Sequence, residues 1–290
     1  MSEVKLTIFT PTYNRAYILN KCYESLLTQT NKSFKWLIVD DGSSDNTEEI
    51  VNGWMGEKLI DIEYYKQENG GKQRAHNYGV ELCTTELFMC VDSDDHLTET
   101  AVDELLNAWE QIEDKTKVSG IVANKGYDIN SPIGKFPDVE YSTLLDLYRK
   151  HKHQGDTALM YRTDLLKKYP YDVADGEKFI GENYAYNKID QNHHLLVLPK
   201  IVYLCEYLED GLTHNVRKLT KNNPIGYMVL NNQNVAFSVT PREKFINTMK
   251  YIIGCKLSRR NPFKGVNFKM YVALAYFPAM LYYHRHYKKV

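Results

Sequence analysis

Three carboxylates stand close together at the end of an apolar run. Residues 87–91 are apolar and long enough for one buried strand, and Asp92, Asp94 and Asp95 follow directly, with Ser93 between the first two. Because like charges this close repel one another, a bound divalent cation or a raised pKa is the usual remedy. Hard oxygen ligands favour Mg²⁺ or Mn²⁺, which often also hold a diphosphate. A solvated acidic turn that caps the next helix is the alternative.

Three other loops carry groups that suit a nucleotide. They comprise residues 11–15, 40–45 and 69–72. Asp41 could accept hydrogen bonds from a nucleobase or a ribose. Gly71 permits close backbone approach, and Lys72 adds positive charge for a phosphate. Each of these loops could also be an ordinary turn or helix cap.

The apolar pattern around these loops alternates strands with helices. Strands are predicted at residues 6–10, 36–39, 60–65, 87–91, 118–123, 155–161, 195–198 and 201–205. In the first hundred residues, strand–helix alternation at this spacing is typical of an α/β fold with a Rossmann-like, mostly parallel sheet and helices on both faces. The carboxyl ends of such strands share one edge of the sheet, so the four loops are expected to meet there.

The composition is that of an ordinary globular protein. The chain has 290 residues, of which 43% are hydrophobic and 25% charged, and its five cysteines are scattered without metal-ligand spacing. Reduced thiols and the lack of a recognisable signal peptide lead us to expect a cytoplasmic protein. Neither a dinucleotide-binding glycine fingerprint nor a P-loop motif is present, which argues against a dinucleotide oxidoreductase and a P-loop enzyme.

The charges divide the chain into two regions. Residues 216–290 hold fourteen basic residues and one acidic residue, a net charge of +13, whereas residues 1–215 carry 22 basic and 36 acidic residues, or −14. We therefore expect a catalytic domain over 1–215 and a basic, aromatic helical region over 216–290. Residues 270–283 contain no charge, which suits a helix in the membrane interface or one packed on the domain. No nucleic-acid-binding motif is recognisable.

Four sequence blocks together resemble the signature of the family 2 glycosyltransferases. They are Ile-Phe-Thr-Pro-Thr-Tyr-Asn-Arg at residues 8–15, Ile-Val-Asp-Asp-Gly-Ser-Ser-Asp-Asn-Thr at 38–47, Asn-Gly-Gly-Lys-Gln-Arg-Ala-His-Asn-Tyr-Gly at 69–79 and Val-Asp-Ser-Asp-Asp at 91–95. The resemblance is strong over residues 4–100 and looser to about residue 210. It implies a GT-A fold, a nucleotide-diphosphate sugar donor, Mn²⁺ or Mg²⁺, and inversion at the anomeric carbon.

The resemblance also assigns roles to individual residues. It implies that Asp41 holds the base, that Asp92 faces the ribose or the metal, and that Asp94 ligates the metal. Further residues expected to bind the nucleotide are Pro11, Thr12, Tyr13, Arg15, Gly71, Lys72 and Ser93. His76 departs from the family pattern, which usually has arginine there, and a neutral imidazole does not replace a fixed charge.

The resemblance also leads to a candidate for the general base. The family often has Glu-Asp before a helix near the acceptor, whereas this chain has Glu182 and Asn183. Because asparagine is not a base, Glu182 is the candidate for removing the acceptor's proton. Donor-sugar or acceptor contacts are expected from Asp95, Asp156, Asp210 and His214.

These observations predict an inverting glycosyltransferase at the inner face of the membrane. The expected donor is a nucleotide-diphosphate sugar, with a UDP-sugar favoured, and the expected acceptor is a glycan or a polyprenyl-diphosphate-linked saccharide. Capsule, exopolysaccharide or cell-wall polymer assembly would be the setting. A catalytically degenerate scaffold and a sugar-1-phosphate nucleotidyltransferase are the alternatives.

Overall fold

The computed structural model describes residues 4–205 and 216–288, so the predicted site residues Asp210 and His214 lie outside the described residues. The chain divides into two compact units. The sheet unit comprises residues 4–170 and 185–205, and the helical unit comprises residues 171–184 and 216–288. The segment 171–184 groups with the C-terminal helices, although it precedes the end of the sheet unit in the sequence.

The sheet unit is built on one mixed sheet. Its strands are β1 (Leu6–Thr12), β2 (Phe34–Asp40), β3 (Ile62–Lys66), β4 (Leu87–Cys90), β5 (His96–Leu97), β6 (Val118–Asp128), β7 (Ser131–Pro132), β8 (Tyr141–Ser142), β9 (Thr157–Arg162) and β10 (His194–Leu204). The order is β3-β2-β1-β4-β9-β6-β10-β5, with β7 paired to β6 and β8 to β10. Strands β1 to β4 are mutually parallel, as predicted, whereas β9 runs antiparallel between β4 and β6.

Helices cover both faces of this sheet, which confirms the predicted α/β fold. They are α1 (Leu19–Leu27), α2 (Thr47–Glu57), α3 (Lys72–Leu82), α4 (Ala101–Glu110), α5 (Leu144–Arg149), α6 (Thr163–Lys168) and α7 (Asn183–Ile189). On one face, Ile8 and Met89 share a core with residues of α1 and α4. On the other face, Phe9 and Phe88 meet α3, where a Cβ on Gly79 would lie 2.3 Å from the Phe9 ring. Neighbouring residues of a strand point to opposite faces, so each strand supplies both cores.

Two strand predictions differ from the structure. The predicted strands 195–198 and 201–205 form one strand, β10, with a register shift between Leu198 and Ile201. Pro199 has no N–H to donate to the sheet, and a bulge at this point lets the strand continue past it. Strand β6 extends to Asp128, five residues beyond the predicted end of this strand at residue 123. The extension forms a hairpin with β7.

The helical unit contains α8 (Val216–Asn222), α9 (Pro224–Ala236), α10 (Pro241–Leu257) and α11 (Lys269–His286). A buried glutamate ties the segment 171–184 to this unit: the Glu177 carboxylate accepts hydrogen bonds from the N–H groups of Ile225 and Gly226, both at 2.7 Å. These are donors of the first turn of α9, which have no partner within the helix. None of the described helices combines the length and the apolar character that crossing a bilayer requires.

A buried carboxylate follows α7. Asp190 Oδ2 accepts a hydrogen bond from the N–H of Leu145 at 2.8 Å, whereas its Oδ1 has no hydrogen-bond partner among the described residues. Burial raises the pKa of this carboxyl from 3.8 to about 6. The folded protein therefore holds this proton at a pH where the unfolded chain releases it, and ionisation costs stability as the pH rises from about 4 to 6.

We expect Asp190→Asn to stabilise the protein at pH 8, since the amide keeps an acceptor for Leu145 and removes a buried charge. Acidification from pH 8 to pH 5 should add about 1 kcal/mol to the unfolding free energy of the wild type relative to the variant. Urea denaturation of both proteins at the two pH values measures the difference. Parallel pH dependences would show that Asp190 ionises normally in the fold.

Candidate active site

The acidic loop after β4 contains one tight ion pair. Asp92 Oδ1 lies 2.6 Å from Nζ of Lys72, the first residue of α3. Burial opposes ionisation of Asp92, but Lys72 and Lys125 outweigh it and hold the pKa of this carboxyl below its ordinary value. Two sequence blocks twenty residues apart are thereby joined by opposite charges.

The acidic loop is also held by residues of the strands β6 and β10. The Tyr203 hydroxyl, on β10, donates to Asp95 Oδ2 at 2.8 Å and accepts from the N–H of Asp92 at 3.0 Å. Lys125 on β6 places its Nζ 4.0 Å from the centre of the Tyr203 ring and 3.8 Å from Asp95 Oδ2. Burial, only partly offset by Lys125, raises the pKa of Asp95 to about 7. Tyr203 thus holds both ends of the acidic loop.

Asp94 differs from its two neighbours. It is half-buried, and among residues 4–205 and 216–288 no other side chain forms an ion pair or a hydrogen bond with its carboxylate. Burial, and then the charge of Asp92, raise its pKa above the ordinary value. A carboxylate in this state gains from a nearby cation.

The donor set fits a metal that is shared with a substrate. The described residues contain no group of three His, Cys, Asp or Glu side chains arranged to hold an ion. Mg²⁺ at phosphate sites commonly takes one or two carboxylates and completes its coordination with substrate oxygens and water. Asp94, with Asp92 beside it, fits a site of that kind and does not form an all-protein cage.

Asp41 organises the loop that precedes α3. Its carboxylate accepts four hydrogen bonds at 2.7–3.1 Å, from the side chains of Gln67 and Asn69 and from the N–H groups of Gly70 and Gly71. Gly71 has φ +94°, which favours glycine. These donors occupy the lone-pair positions of both oxygens, so a base would have to compete with them. Binding of a base by Asp41 stays a prediction.

The first loop is tied to the second through Asn14. Its N–H donates to Ser43 Oγ at 2.8 Å, and its Oδ1 accepts from the N–H of Ser44 at 2.8 Å. Of the residues expected to line a nucleoside pocket, Pro11 and Thr12 are buried at the end of β1, and Tyr13 is 49% exposed. The buried Thr12 Oγ1 has no hydrogen-bond partner among the described residues. The four loops therefore form a connected series along one edge of the sheet.

Arg15 and Ser93 take different positions at this edge. Arg15 is half-buried, and its charge lowers the pKa of Asp94, although burial has the larger, opposite effect. It also donates a hydrogen bond to the exposed Tyr17 hydroxyl. Ser93 is buried inside the acidic loop.

His76 belongs to the core under α3. Its ring meets those of Phe9 and Phe88 edge-on, with centroids 5.7 and 5.2 Å away. Burial, and then the charge of Lys72, lower its pKa to about 3, so the imidazole is neutral at physiological pH. In this environment the side chain packs between aromatic rings, which accounts for a residue other than arginine.

The remaining predicted residues are in different places. Asp156 is exposed and directly precedes β9, whose antiparallel direction brings this end to the edge that carries the acidic loop. Glu182 belongs to the helical unit, is exposed, and directly precedes α7. Its backbone carbonyl accepts a hydrogen bond from the Tyr171 hydroxyl at 3.1 Å.

Sequence reasoning missed Lys125 and Tyr203. Both lie inside strands, where a lysine or a tyrosine has no recognisable motif. In the register of β6 and β10 the two residues are direct partners. The only sequence signal for these two residues was a lysine and an aromatic residue beside predicted core positions. The pairing of the strands is what brings them to the acidic loop.

We expect Tyr203→Phe to lower the unfolding free energy by about 1–3 kcal/mol and to speed amide exchange at Asp92. The change leaves the buried Asp95 carboxylate and the Asp92 N–H without the Tyr203 hydroxyl. Denaturant titration and hydrogen exchange are the measurements. Tyr161→Phe is the matched control, since that buried hydroxyl has no hydrogen-bond partner among the described residues. Equal effects of the two changes would contradict the role assigned to Tyr203.

Sequence comparisons find glycosyltransferases that are similar to this chain. Residues 7–170 match the model of glycosyl transferase family 2. The glycosyltransferase GlyG of Streptococcus pneumoniae serotype 4 is 30% identical over 136 residues, 47% of this chain and 43% of GlyG. The poly(ribitol-phosphate) β-N-acetylglucosaminyltransferase TarP of Staphylococcus aureus is 25% identical over 192 residues, 64% of this chain and 55% of TarP. The chain thus matches about half of each of these relatives.

Solved structures share the fold over nearly the whole chain. Staphylococcus aureus TarS residues 1–349, in complex with UDP-GlcNAc, superposes with a TM-score of 0.62 at 16% identity, covering 97% of this chain and 92% of that one. The Pyrobaculum calidifontis mannosyltransferase PcManGT, in complex with GDP-Man and Mn²⁺, gives 0.57 at 17% identity and covers 97% and 81%. At these identities the likeness establishes the GT-A fold.

The matched region contains β1 to β4, the four loops at their carboxyl ends, and the strands β6 and β9 that complete the centre of the sheet. It covers more than half of the chain. The chain therefore belongs to glycosyl transferase family 2.

Proposed function

We propose that this protein is a metal-dependent inverting glycosyltransferase. It transfers a sugar from a nucleotide-diphosphate sugar, a UDP-sugar by preference, to a glycan or to a polyprenyl-diphosphate-linked saccharide. The observation that carries the proposal is the acidic loop: Asp92 and Asp95 have lysine or tyrosine partners, whereas Asp94 has none among the described residues. UDP-GlcNAc bound to TarS and GDP-Man bound to PcManGT support the donor class.

The loops at the edge of the sheet would bind two parts of the donor, the nucleoside and the diphosphate. Pro11, Thr12 and Tyr13 take the nucleoside, with Asp41 shaping the loop that faces it. The start of α3 favours a phosphate because the positive end of the helix dipole lies there. Lys72 adds a charge at the same helix end, next to Asp92.

Asp94, with help from Asp92, would hold Mn²⁺ or Mg²⁺ against the diphosphate. When bound, such an ion neutralises the charge that develops on the leaving nucleotide. PcManGT in complex with Mn²⁺ supports this choice of ion. The chain's own part is to keep one ionised carboxylate available, and the ion pair of Asp92 with Lys72 serves that purpose by lowering the charge repulsion at Asp94.

Glu182 would act as the general base. In an inverting transfer, the acceptor oxygen bonds to the anomeric carbon as the bond to the diphosphate oxygen breaks. The acceptor hydroxyl proton must leave during this step, and a carboxylate within reach can accept it. The side chain of Glu182 is exposed. Asp95, Asp156, Asp210 and His214 are the further candidates for contacts with the donor sugar or the acceptor.

The two regions predicted from the sequence would divide the work. Residues 1–215 carry the chemistry, and the basic residues of 216–290, with a net charge of +13, bring the enzyme to the cytoplasmic face of an anionic membrane. A lipid-linked acceptor in capsule, exopolysaccharide or cell-wall polymer synthesis is consistent with this placement.

We expect Asp94→Ala to abolish the tightening of donor binding by Mn²⁺ and to lower donor hydrolysis roughly 100-fold or more, since a lost ligand removes several kcal/mol of charge stabilisation. Hydrolysis of a panel of UDP- and GDP-sugars, and calorimetry with and without Mn²⁺, are the measurements. Asp61→Ala is the control, because Asp61 is exposed and directly precedes β3, at the edge of the sheet opposite to the four loops. Full wild-type activity in EDTA would refute the metal assignment.

We expect Glu182→Gln to lower transfer to the acceptor by roughly 100-fold or more while donor affinity is nearly unchanged, because the amide keeps the size of the side chain and loses the basic oxygen. Single-turnover transfer and donor binding separate the two effects. Asn183→Asp, which restores the usual family sequence, should rescue part of the lost rate if its carboxylate reaches the acceptor. Transfer by Glu182→Gln at the wild-type rate would place the base elsewhere, with Asp210 next to be tested.

A further inference from the structure

Helix α11 has two apolar faces. Val272, Ala275 and Ala279 are fully buried in the core of the helical unit. On the opposite side, Met270, Leu274, Phe277 and Leu281 are 69%, 62%, 77% and 64% exposed. Their spacing of four, three and four residues places them in one line along the helix, here called the outer stripe.

The outer stripe is unusual for a helix on the surface of a protein. Surface helices are normally apolar toward the core and polar toward water, and one that is apolar all round is normally covered on all sides. Continuous exposed apolar patches mark sites that bind another protein, a ligand or a membrane. The side chains of the outer stripe are large and adjacent, so they form such a patch rather than scattered surface contacts.

The charges around the outer stripe indicate what covers it. The exposed residues His284 and Arg285 continue the same side of the helix at its C-terminal end, and exposed Lys288 follows. Lys264 and Lys269 are exposed near the other end. From residue 244 to the end, the sequence contains no acidic residue.

A second copy of the chain fits this surface poorly. Two copies facing each other through the outer stripe would bring like-charged rims together, which opposes association. An anionic lipid surface offers the complementary charge and an apolar layer below it, which suits an amphipathic helix lying in the membrane plane. At 18 residues α11 is about 27 Å long, enough to lie along the surface and short of the roughly 30 Å hydrocarbon core.

We propose that the outer stripe is a lipid-docking face. Met270, Leu274, Phe277 and Leu281 enter the boundary between headgroups and acyl chains of an anionic bilayer, and Arg285 and Lys288 meet lipid phosphates. The proposal specifies which face of the protein meets the membrane and which class of lipid it binds. Only the further step, in which a lipid-linked acceptor is presented at this face, rests on the proposed function.

Co-sedimentation with vesicles tests the proposal. The full chain should bind vesicles of equal parts phosphatidylglycerol and phosphatidylcholine, and bind pure phosphatidylcholine weakly. The double variant Phe277→Ser/Leu281→Ser should bind the anionic vesicles about 10-fold less tightly or worse, with an unchanged melting temperature, since both side chains are exposed. Val239→Ser is the matched control, because Val239 is 76% exposed in the same unit and lies outside α11. Binding should weaken as salt is raised.

Three outcomes would overturn the proposal. The wild type could fail to bind the anionic vesicles, the double variant could bind them as tightly as the wild type, or Val239→Ser could weaken binding equally. Analytical ultracentrifugation tests whether a second copy of the chain covers the outer stripe instead. If the wild type is a dimer, the double variant is a monomer and the wild type does not bind vesicles, the face belongs to a second copy. Donor hydrolysis without vesicles should be the same in all three proteins. Vesicle binding without hydrolysis of any nucleotide sugar would contradict the proposed function and leave the docking face standing.

Discussion

The sheet unit is organised around the repulsion of three carboxylates that follow one buried strand. Lys72 neutralises Asp92 from α3, while Lys125 and Tyr203 hold Asp95 from β6 and β10. These partners come from three parts of the chain, so the acidic loop acquires its geometry only when the whole sheet is assembled. Asp94 is left without an ion-pair partner among the described residues, and burial together with the charge of Asp92 raises its pKa.

The other loops reach this point through a series of hydrogen bonds. Asn14 joins the first loop to Ser43 and Ser44 of the second, and Asp41 joins the second to Gly70 and Gly71 of the third. The third loop then opens α3, whose first residue carries the ion pair to the acidic loop. Because each bond fixes one loop against the next, a donor would meet a largely preorganised edge of the sheet, which lowers the entropic cost of binding.

In the helical unit, helix α11 needs one apolar face for the core and another for the proposed membrane contact, and the sequence pattern alone does not separate them. The core of the unit needs an apolar face on α11, supplied by Val272, Ala275 and Ala279, and the proposed membrane contact needs a second one. The result is a helix with no polar side over much of its length, which in the sequence is equally consistent with a packed helix and an interfacial one. Burial of individual residues distinguishes the two faces.

The sequence by itself determined the strands β1 to β4, the loops that follow them and the position of the acidic loop at the end of β4, because these features are local: an apolar run ends and charged or glycine residues begin. Tertiary structure decided what depends on distant pairing. The register of β6 with β10 brings Lys125 to Tyr203, the packing of α3 buries His76 between aromatic rings, and the carboxylate of Asp41 is taken up by a loop nearly thirty residues away. Local patterns do not encode such contacts, because hydrogen bonds and burial depend on which strands become neighbours.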